Sequence, residues 1–388
     1  MVTEAAALDA ITIDALRAAG GLKWTRFDGD VIGAFVAEMD FGTAPAVTAA
    51  LHRAVDAMAF GYLPGSLTAA MAEACAAWLA TTYGWDVPVE RIHALPDVIR
   101  GLEVAIDHYS RPGSAVVLPT PAYMPFFMVP SHHDRNIIEV PMLVGADRRH
   151  RIDLDGLGRA LADGGNLVVL CNPHNPVGRV YERDELIALS EVVERHGGRV
   201  FSDEIHAPIV YGPARHVPYA SVSTVAAGHS VTATSASKAW NLPGLKCAQL
   251  IITNDTDAEV FEQRGTWAAH GASNLGVVAN TAAFTAGREW LDVILSYLDA
   301  NRTWLGARLA ERLPEVGYRP PDGTYLAWLD CRELGLGDEP GLVFQERGGV
   351  ALVDGVRCGQ AGHVRLNFAT PRPILAEIVD RMARAIGR

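Results

Sequence analysis

The chain is short of positive charge: 33 Lys and Arg stand against 45 Asp and Glu, a formal net charge of -12 over 388 residues. A sequence-independent grip on nucleic acid or on an anionic membrane needs a concentrated positive field, so neither is an expected partner. Cysteine is sparse: Cys75, Cys171, Cys247, Cys331 and Cys358 are scattered, odd in number and free of any C-x-x-C pair. They read as reduced thiols and small buried hydrophobes, not as a disulfide frame or a zinc cluster. No apolar run reaches the roughly 18 residues that a membrane span needs. The opening MVTEAAALDAITIDALRAAGG carries acids in an amphipathic pattern and lacks a basic end before an apolar stretch, so no secretory signal is expected and a cytoplasmic protein is. No G-x-G-x-x-G follows a strand, which disfavours a dinucleotide dehydrogenase, and no H-E-x-x-H occurs.

What is present is an ordinary globular composition, 49% apolar and 20% charged. The length calls for about two domains. From about residue 90 to 255, short apolar runs alternate with helical patterns, the rhythm of βαβ units around a mostly parallel sheet. SAVVLP (114–119), NLVVLC (166–171), RVFSD (199–203), SVTAT (230–234) and QLIIT (249–253) are the expected strands. RDELIALSEVVERHGG has apolar residues at helical spacing and glycines just past the end, where a left-handed cap is wanted. The C-terminal part reads as a long helix, WLDVILSYLDANRTWLGARLAERL, then strand-like TYLAWLD and HVRLNFA, then a last helix, PILAEIVDRMARAI. The expected fold is α/β, a mostly parallel central sheet flanked by helices in a large domain over 46–288. A smaller α+β domain is expected from 289–388, with the first segment, 1–45, packed against it.

In open α/β sheets, ligands lie beyond the carboxyl ends of the strands. After NLVVLC comes NPHNPVG with Asn175; after RVFS come Asp203 and Glu204; after SVTAT comes SASK with Ser235, Ser237 and Lys238; after SAVVLP comes TPAY with Tyr123. Singly each has an ordinary explanation: a turn residue, a cap, a packed aromatic. Together they suit a phosphorylated aromatic aldehyde. Ser235, Ser237 and the N–H groups of a helix start at Val98 and Ile99 suit a phosphate, and Lys246 can supply a cation. Asp203 can hold a pyridine nitrogen protonated, Tyr123 can stack on the ring, and Asn175 can donate to a ring oxygen. Lys238 can form an imine with the aldehyde, for which burial and a neighbouring Lys246 would lower its pKa.

The residue pattern of Asn in an N-P-x-G turn, then Asp, then Ser-x-Ser-Lys, met by Asn175, Asp203 and Ser235-Ala-Ser-Lys238, resembles the fold type I pyridoxal-phosphate enzymes of the class I/II aminotransferase superfamily. VAEMDF (36–41), FGY (60–62), CNPHNPVGRV (171–180), SDEIH (202–206), SKAWNLPGLK (237–246), PDGTYLAWLD (321–330) and VRLNFATPR (364–372) are similar, nearly end to end, to the MalY/PatB-type cystathionine β-lyases. The resemblance implies pyridoxal 5'-phosphate and a homodimer with shared sites, in which Tyr62 reaches the phosphate of the partner's cofactor. It implies that Arg365 grips the substrate α-carboxylate, with Ala37 and Tyr62 beside the substrate. His206 is either a support for Asp203 or a packed histidine. The chain departs from the family pattern at LPDVIRGL, where Asp97 stands in place of a glycine before the phosphate-binding helix; it is either that helix's N-cap, leaving the backbone N–H groups for the phosphate, or a carboxylate facing the phosphate, which would weaken cofactor binding.

The implied reaction is β-elimination from cystathionine or a related cysteine S-conjugate, giving a thiol, pyruvate and ammonia. The alternative is an aminotransferase using the same residues with a 2-oxo acid. A serine acylase built on Ser235 and Lys238 would need K-T-G and S-D-N companions, and neither occurs. A non-catalytic regulator keeping this fold is a further alternative, with no surface marked for it.

Overall fold

The computed structural model describes residues 2–388; Met1, the first residue of the expected N-terminal segment, lies outside the described residues. A seven-stranded sheet forms the centre. Its strands are β1 (Ile92–Leu95), β2 (Ala115–Thr120), β3 (Ile137–Pro141), β4 (Gly165–Cys171), β5 (Arg199–Asp203), β6 (Ser230–Thr234) and β7 (Ala248–Ile252), in the spatial order β1-β7-β6-β5-β4-β2-β3. Every residue of β4 and of β6 is buried, as a strand covered by helices on both faces requires. Neighbours from β6 through β5, β4 and β2 to β3 are parallel.

Two features differ from the sequence expectation. The short strands β1 and β3 extend the sheet at its edges; β3 is mostly part-exposed, and an edge strand needs no continuous apolar run. The strand at 248–252 runs antiparallel to both β6 and β1, so the sheet is mixed at this end. The segment 235–247 is therefore a loop between antiparallel neighbours and not a crossover. That returns the chain to the sheet directly after Lys238 and Lys246.

The covering helices follow from local patterns. Helix α2 (Arg183–Arg195), which follows α1 (Val98–Val104), opens with a capping box of Glu182 and Glu185 and buries Leu186, Leu189 and Val193 on one face. Gly197, just past its end, takes φ +60°, which a glycine adopts at little cost. Farther along, α3 (Arg288–Arg312) buries Leu291, Ile294, Leu298, Leu305 and Leu309.

A second, four-stranded antiparallel sheet is built from β8 (Gly317–Tyr318), β9 (Leu326–Asp330), β10 (Val353–Asp354) and β11 (His363–Asn367), in the order β8-β9-β11-β10. Helix α4 (Arg372–Ala385) buries Ile374, Leu375, Ile378 and Val379. The N-terminal segment lies against this C-terminal part: Ile32 and Gly33 pair in parallel with Val350 and Ala351. Lys23 and Asp40, both buried, form an ion pair at 2.7 Å, and Trp24 Nε1 donates to the same carboxylate at 2.8 Å. Residues 34–42, held by the Ile32–Gly33 pairing at one end and by Asp40 near the other, form a strap whose residue Ala37 reaches the carboxyl ends of the central strands.

Candidate active site

A cavity of about 190 Å³ opens at those strand ends. Lys238, Asp203, Asn175, Tyr123, Ser235 and Ser237 line it, together with Val98, Ile99, His206, Lys246 and Ala37. Most of the residues singled out in the sequence are thus gathered in one place.

Lys238 follows β6 in the loop 235–247, and its Nζ donates to the Ala37 carbonyl at 3.0 Å. Burial is the largest influence on the amine, with the Arg365 guanidinium second; against Glu38 and Asp203 they bring its pKa down to about 8. Lys246 is not the cation responsible. It pairs with Asp97 at 3.0 Å, both side chains about half exposed, which corrects the expectation that it depresses Lys238. Lys246 takes φ +55°, a left-handed conformation that is uncommon for a side-chain-bearing residue.

Asp203 ends β5 and is buried, and burial raises its pKa to about 7. Its Oδ1 accepts from the Ile205 N–H at 3.0 Å. Among the described residues no cation forms an ion pair with it, so the buried carboxyl group faces the cavity unpaired. His206 is buried and edge-on to Tyr325, its Nδ1 has no partner, and no hydrogen bond joins it to Asp203. Burial holds it neutral, well below its ordinary pKa.

Asp97 is the N-cap of α1: its Oδ1 accepts from Arg100 N–H at 3.0 Å while Oδ2 takes Lys246. Both carboxylate oxygens are thereby engaged, one of them as the N-cap reading of Asp97 requires. The N–H groups of Val98 and Ile99, the first two helical residues, have no partner within the helix. Ser235 donates its hydroxyl to the Cys247 carbonyl at 2.7 Å and accepts from the Ser237 N–H, so it also closes the loop. Tyr123 packs edge-to-face with Phe126, and burial raises its phenol pKa.

Arg365, on β11, is buried and stands beside the cavity. Its Nη1 donates to Asn175 Oδ1 at 3.1 Å and its Nη2 to the Phe35 carbonyl at 2.7 Å, while Nε is buried with no partner. A buried guanidinium with an unused donor fits an anionic group from outside the chain. Tyr62 is the exception to the convergence. It is 97% exposed and lines a separate surface groove with Phe60, Trp267 and His270.

Sequence reasoning did not single out Tyr325 or Asn367. Tyr325 donates to the Ala37 carbonyl at 2.9 Å, and Asn367 Nδ2 donates to the carbonyls of Val36 and Glu38 at 2.7 and 2.6 Å. The alternation in VRLNFA carried the available clue. Residues two apart on a strand share a face, so Asn367 had to lie beside Arg365.

An amine held near neutrality, an unpaired buried carboxylate, free helix N–H groups and a buried arginine make a site that can condense with a phosphorylated aldehyde and bind a carboxylate. This class of site, on a helix-flanked α/β sheet, agrees with the comparisons. Residues 30–382 match the family described as aminotransferase class I and II, and the chain belongs to that family. It is 38% identical to a cystathionine β-lyase of Corynebacterium glutamicum, over 94% of this chain and 96% of that one. It is 34% identical to the cystathionine β-lyase PatB of Bacillus subtilis, over 92% and 93%. A solved structure from Corynebacterium diphtheriae, described as a candidate PLP-dependent β-cystathionase, superposes with a TM-score of 0.92 at 40% identity, covering 97% of this chain and 98% of that one.

Proposed function

We propose that this protein is a pyridoxal-phosphate-dependent C–S β-lyase that cleaves cystathionine or a related cysteine S-conjugate to a thiol, pyruvate and ammonia. The observation that carries the reading is Lys238: an amine with a pKa of about 8, in a cavity shared with the buried, unpaired Asp203. The relatives named cystathionine β-lyase support the choice of bond.

The residues present fit the cofactor. Val98 and Ile99 N–H groups and the Ser237 hydroxyl would hold its phosphate, with Lys246 adding charge. Asp203 would face the ring nitrogen, Tyr123 the ring and Asn175 its oxygen. When bound, pyridoxal phosphate supplies an electron-withdrawing ring conjugated with the substrate Cα. Arg365 binds the substrate α-carboxylate and so orients the Cα–H bond. Lys238, as free amine, then moves the proton at Cα, a role that its lowered pKa suits near neutral pH.

Tyr62 takes a role only if another copy of the chain covers its surface, and we propose a homodimer in which it completes the partner's site. Exposed Phe60 and Trp267 around it support that contact. No helix among the described residues is long and apolar enough to cross a membrane. The five unpaired, buried cysteines support a cytoplasmic setting.

The test is pyruvate release from cystathionine in the absence of any 2-oxo acid, followed with a coupled dehydrogenase. Sustained turnover is expected. A single stalled half-reaction that resumes only with added 2-oxo acid would identify an aminotransferase instead.

A further inference from the structure

The strap over the cavity is held unusually completely. Four successive backbone carbonyls are each taken by a side chain: Phe35 by Arg365, Val36 and Glu38 by Asn367, and Ala37 by both Tyr325 and Lys238. Arg365 and Asn367 lie two apart on β11, and Tyr325 immediately precedes the adjacent strand β9. Asn367 is fully buried, and its Oδ1 accepts from the Ala369 N–H at 2.7 Å, so its amide cannot swing away. By gripping the carbonyls on either side of residue 37, Asn367 leaves the Ala37 carbonyl as the one that meets the Lys238 amine.

We infer that Asn367 and Tyr325 are positioning residues for Lys238, acting through the Ala37 carbonyl. A neutral amine has two N–H bonds and one lone pair. Donating one N–H to a fixed acceptor restricts where the lone pair can point, and the Ala37 carbonyl lies on the strap wall of the cavity. The attacking and proton-accepting electrons are then presented to the interior. The inference deepens the proposed reading, because it assumes that Lys238 is the reactive amine.

The two residues affect the amine in opposite senses. Tyr325 competes with Lys238 for one oxygen; without the phenol, that carbonyl is a stronger acceptor and favours the ammonium. Asn367 holds the acceptor in place; if it is displaced, the ammonium loses a partner. The other groups acting on the amine are Arg365, Glu38 and Asp203, with neutral His206 nearby; the Tyr325 hydroxyl bonds to none of them, whereas Asn367 also holds the Glu38 carbonyl, so its displacement frees the Glu38 backbone as well.

The sequence makes a direct test practical, since the chain has only three lysines, Lys23, Lys238 and Lys246. Lys23 is buried in its ion pair and Lys246 is exposed, which provides an internal reference. The cofactor-stripped full chain is pulse-acylated with acetic anhydride across a pH series, and modification of Lys238 relative to Lys246 is read by peptide mass spectrometry. In Tyr325→Phe the Lys238 midpoint is expected to move up, and in Asn367→Gln, which keeps the amide but displaces it, to move down. With cofactor restored, both variants should lose about tenfold in kcat with KM within about twofold, the scale of one hydrogen bond near a reacting group. Midpoints unchanged in both variants, or shifted in the same direction, would overturn the inference. Tyr325→Phe decides alone if Asn367→Gln fails to fold, since the ring stays packed: an upward shift supports the inference and an unchanged midpoint sinks it. The acylation midpoint does not depend on any lyase activity. Failure of the functional reading would appear separately, as absent pyruvate release by the unaltered protein.

Discussion

Arg365 and Asn175, 190 positions apart in the chain, are joined by a hydrogen bond of 3.1 Å from guanidinium to amide oxygen. The bond links the C-terminal sheet to the turn after β4. It also leaves the arginine held on two sides with its buried Nε–H unpartnered, an arrangement that suits the proposed carboxylate anchor.

Replacing that anchor with Arg365→Lys should raise KM for the amino-acid substrate by about 10- to 100-fold, because an ammonium cannot hold Asn175, Phe35 and a carboxylate together. Steady-state kinetics with cystathionine checks it. An unchanged KM would remove Arg365 from the substrate site.

Lys238→Ala should reduce turnover by on the order of a thousandfold, since both the covalent attachment and the Cα proton transfer use its amine. The cofactor should then be released on dialysis against denaturant-free buffer, which absorbance of the filtrate reports.

Asp97 and Lys246 compensate one another at the helix start. Lys246→Ala should weaken cofactor retention by about two- to fivefold, the scale of a half-exposed pair, and Asp97→Asn in the same chain should recover most of it. Equilibrium dialysis of the two variants and their combination separates compensation from independent effects.

Asp203 sets a pH dependence in the cofactor-free chain. Its folded pKa, about 7, lies above the ordinary 3.8, so the folded state keeps a proton that the unfolded state has released. Stability should therefore be greatest below about pH 4 with respect to this group and fall as pH rises to about 7. Asp203→Asn should flatten that slope in urea titrations. Lys238 acts oppositely, adding stability from about pH 8 up to its ordinary 10.5.

Most of the fold is legible in the sequence, because its strands and helices are specified by local periodicity. RVFSD and SVTAT became strands with the expected bounds, and the long helix near residue 300 is within two residues of its expected start. The edge strands were not legible: β3 is largely part-exposed and carries no continuous apolar run, and β1 is only four residues long with His93 among them. The reversed direction of β7 was not either, because an apolar run has no polarity along the chain. The site residues at strand ends could be listed for the same local reason: each follows a recognisable strand.

By itself, then, the sequence determined which strands exist, which chemical groups follow them, and that one of those groups is an amine. Only the tertiary structure decided what those groups touch. Lys246 pairs with Asp97 and does not act on Lys238; Arg365 is the cation that does; and Asn367 and Tyr325 fix the backbone of residues 35–38 so that Ala37 lines the cavity. The hydrogen-bonded contacts among these join residues between 149 and 331 positions apart, and Arg365 lies well over a hundred positions from Lys238. Local periodicity carries no information about such separations, whereas packing brings the groups within hydrogen-bonding distance and burial then sets their charge.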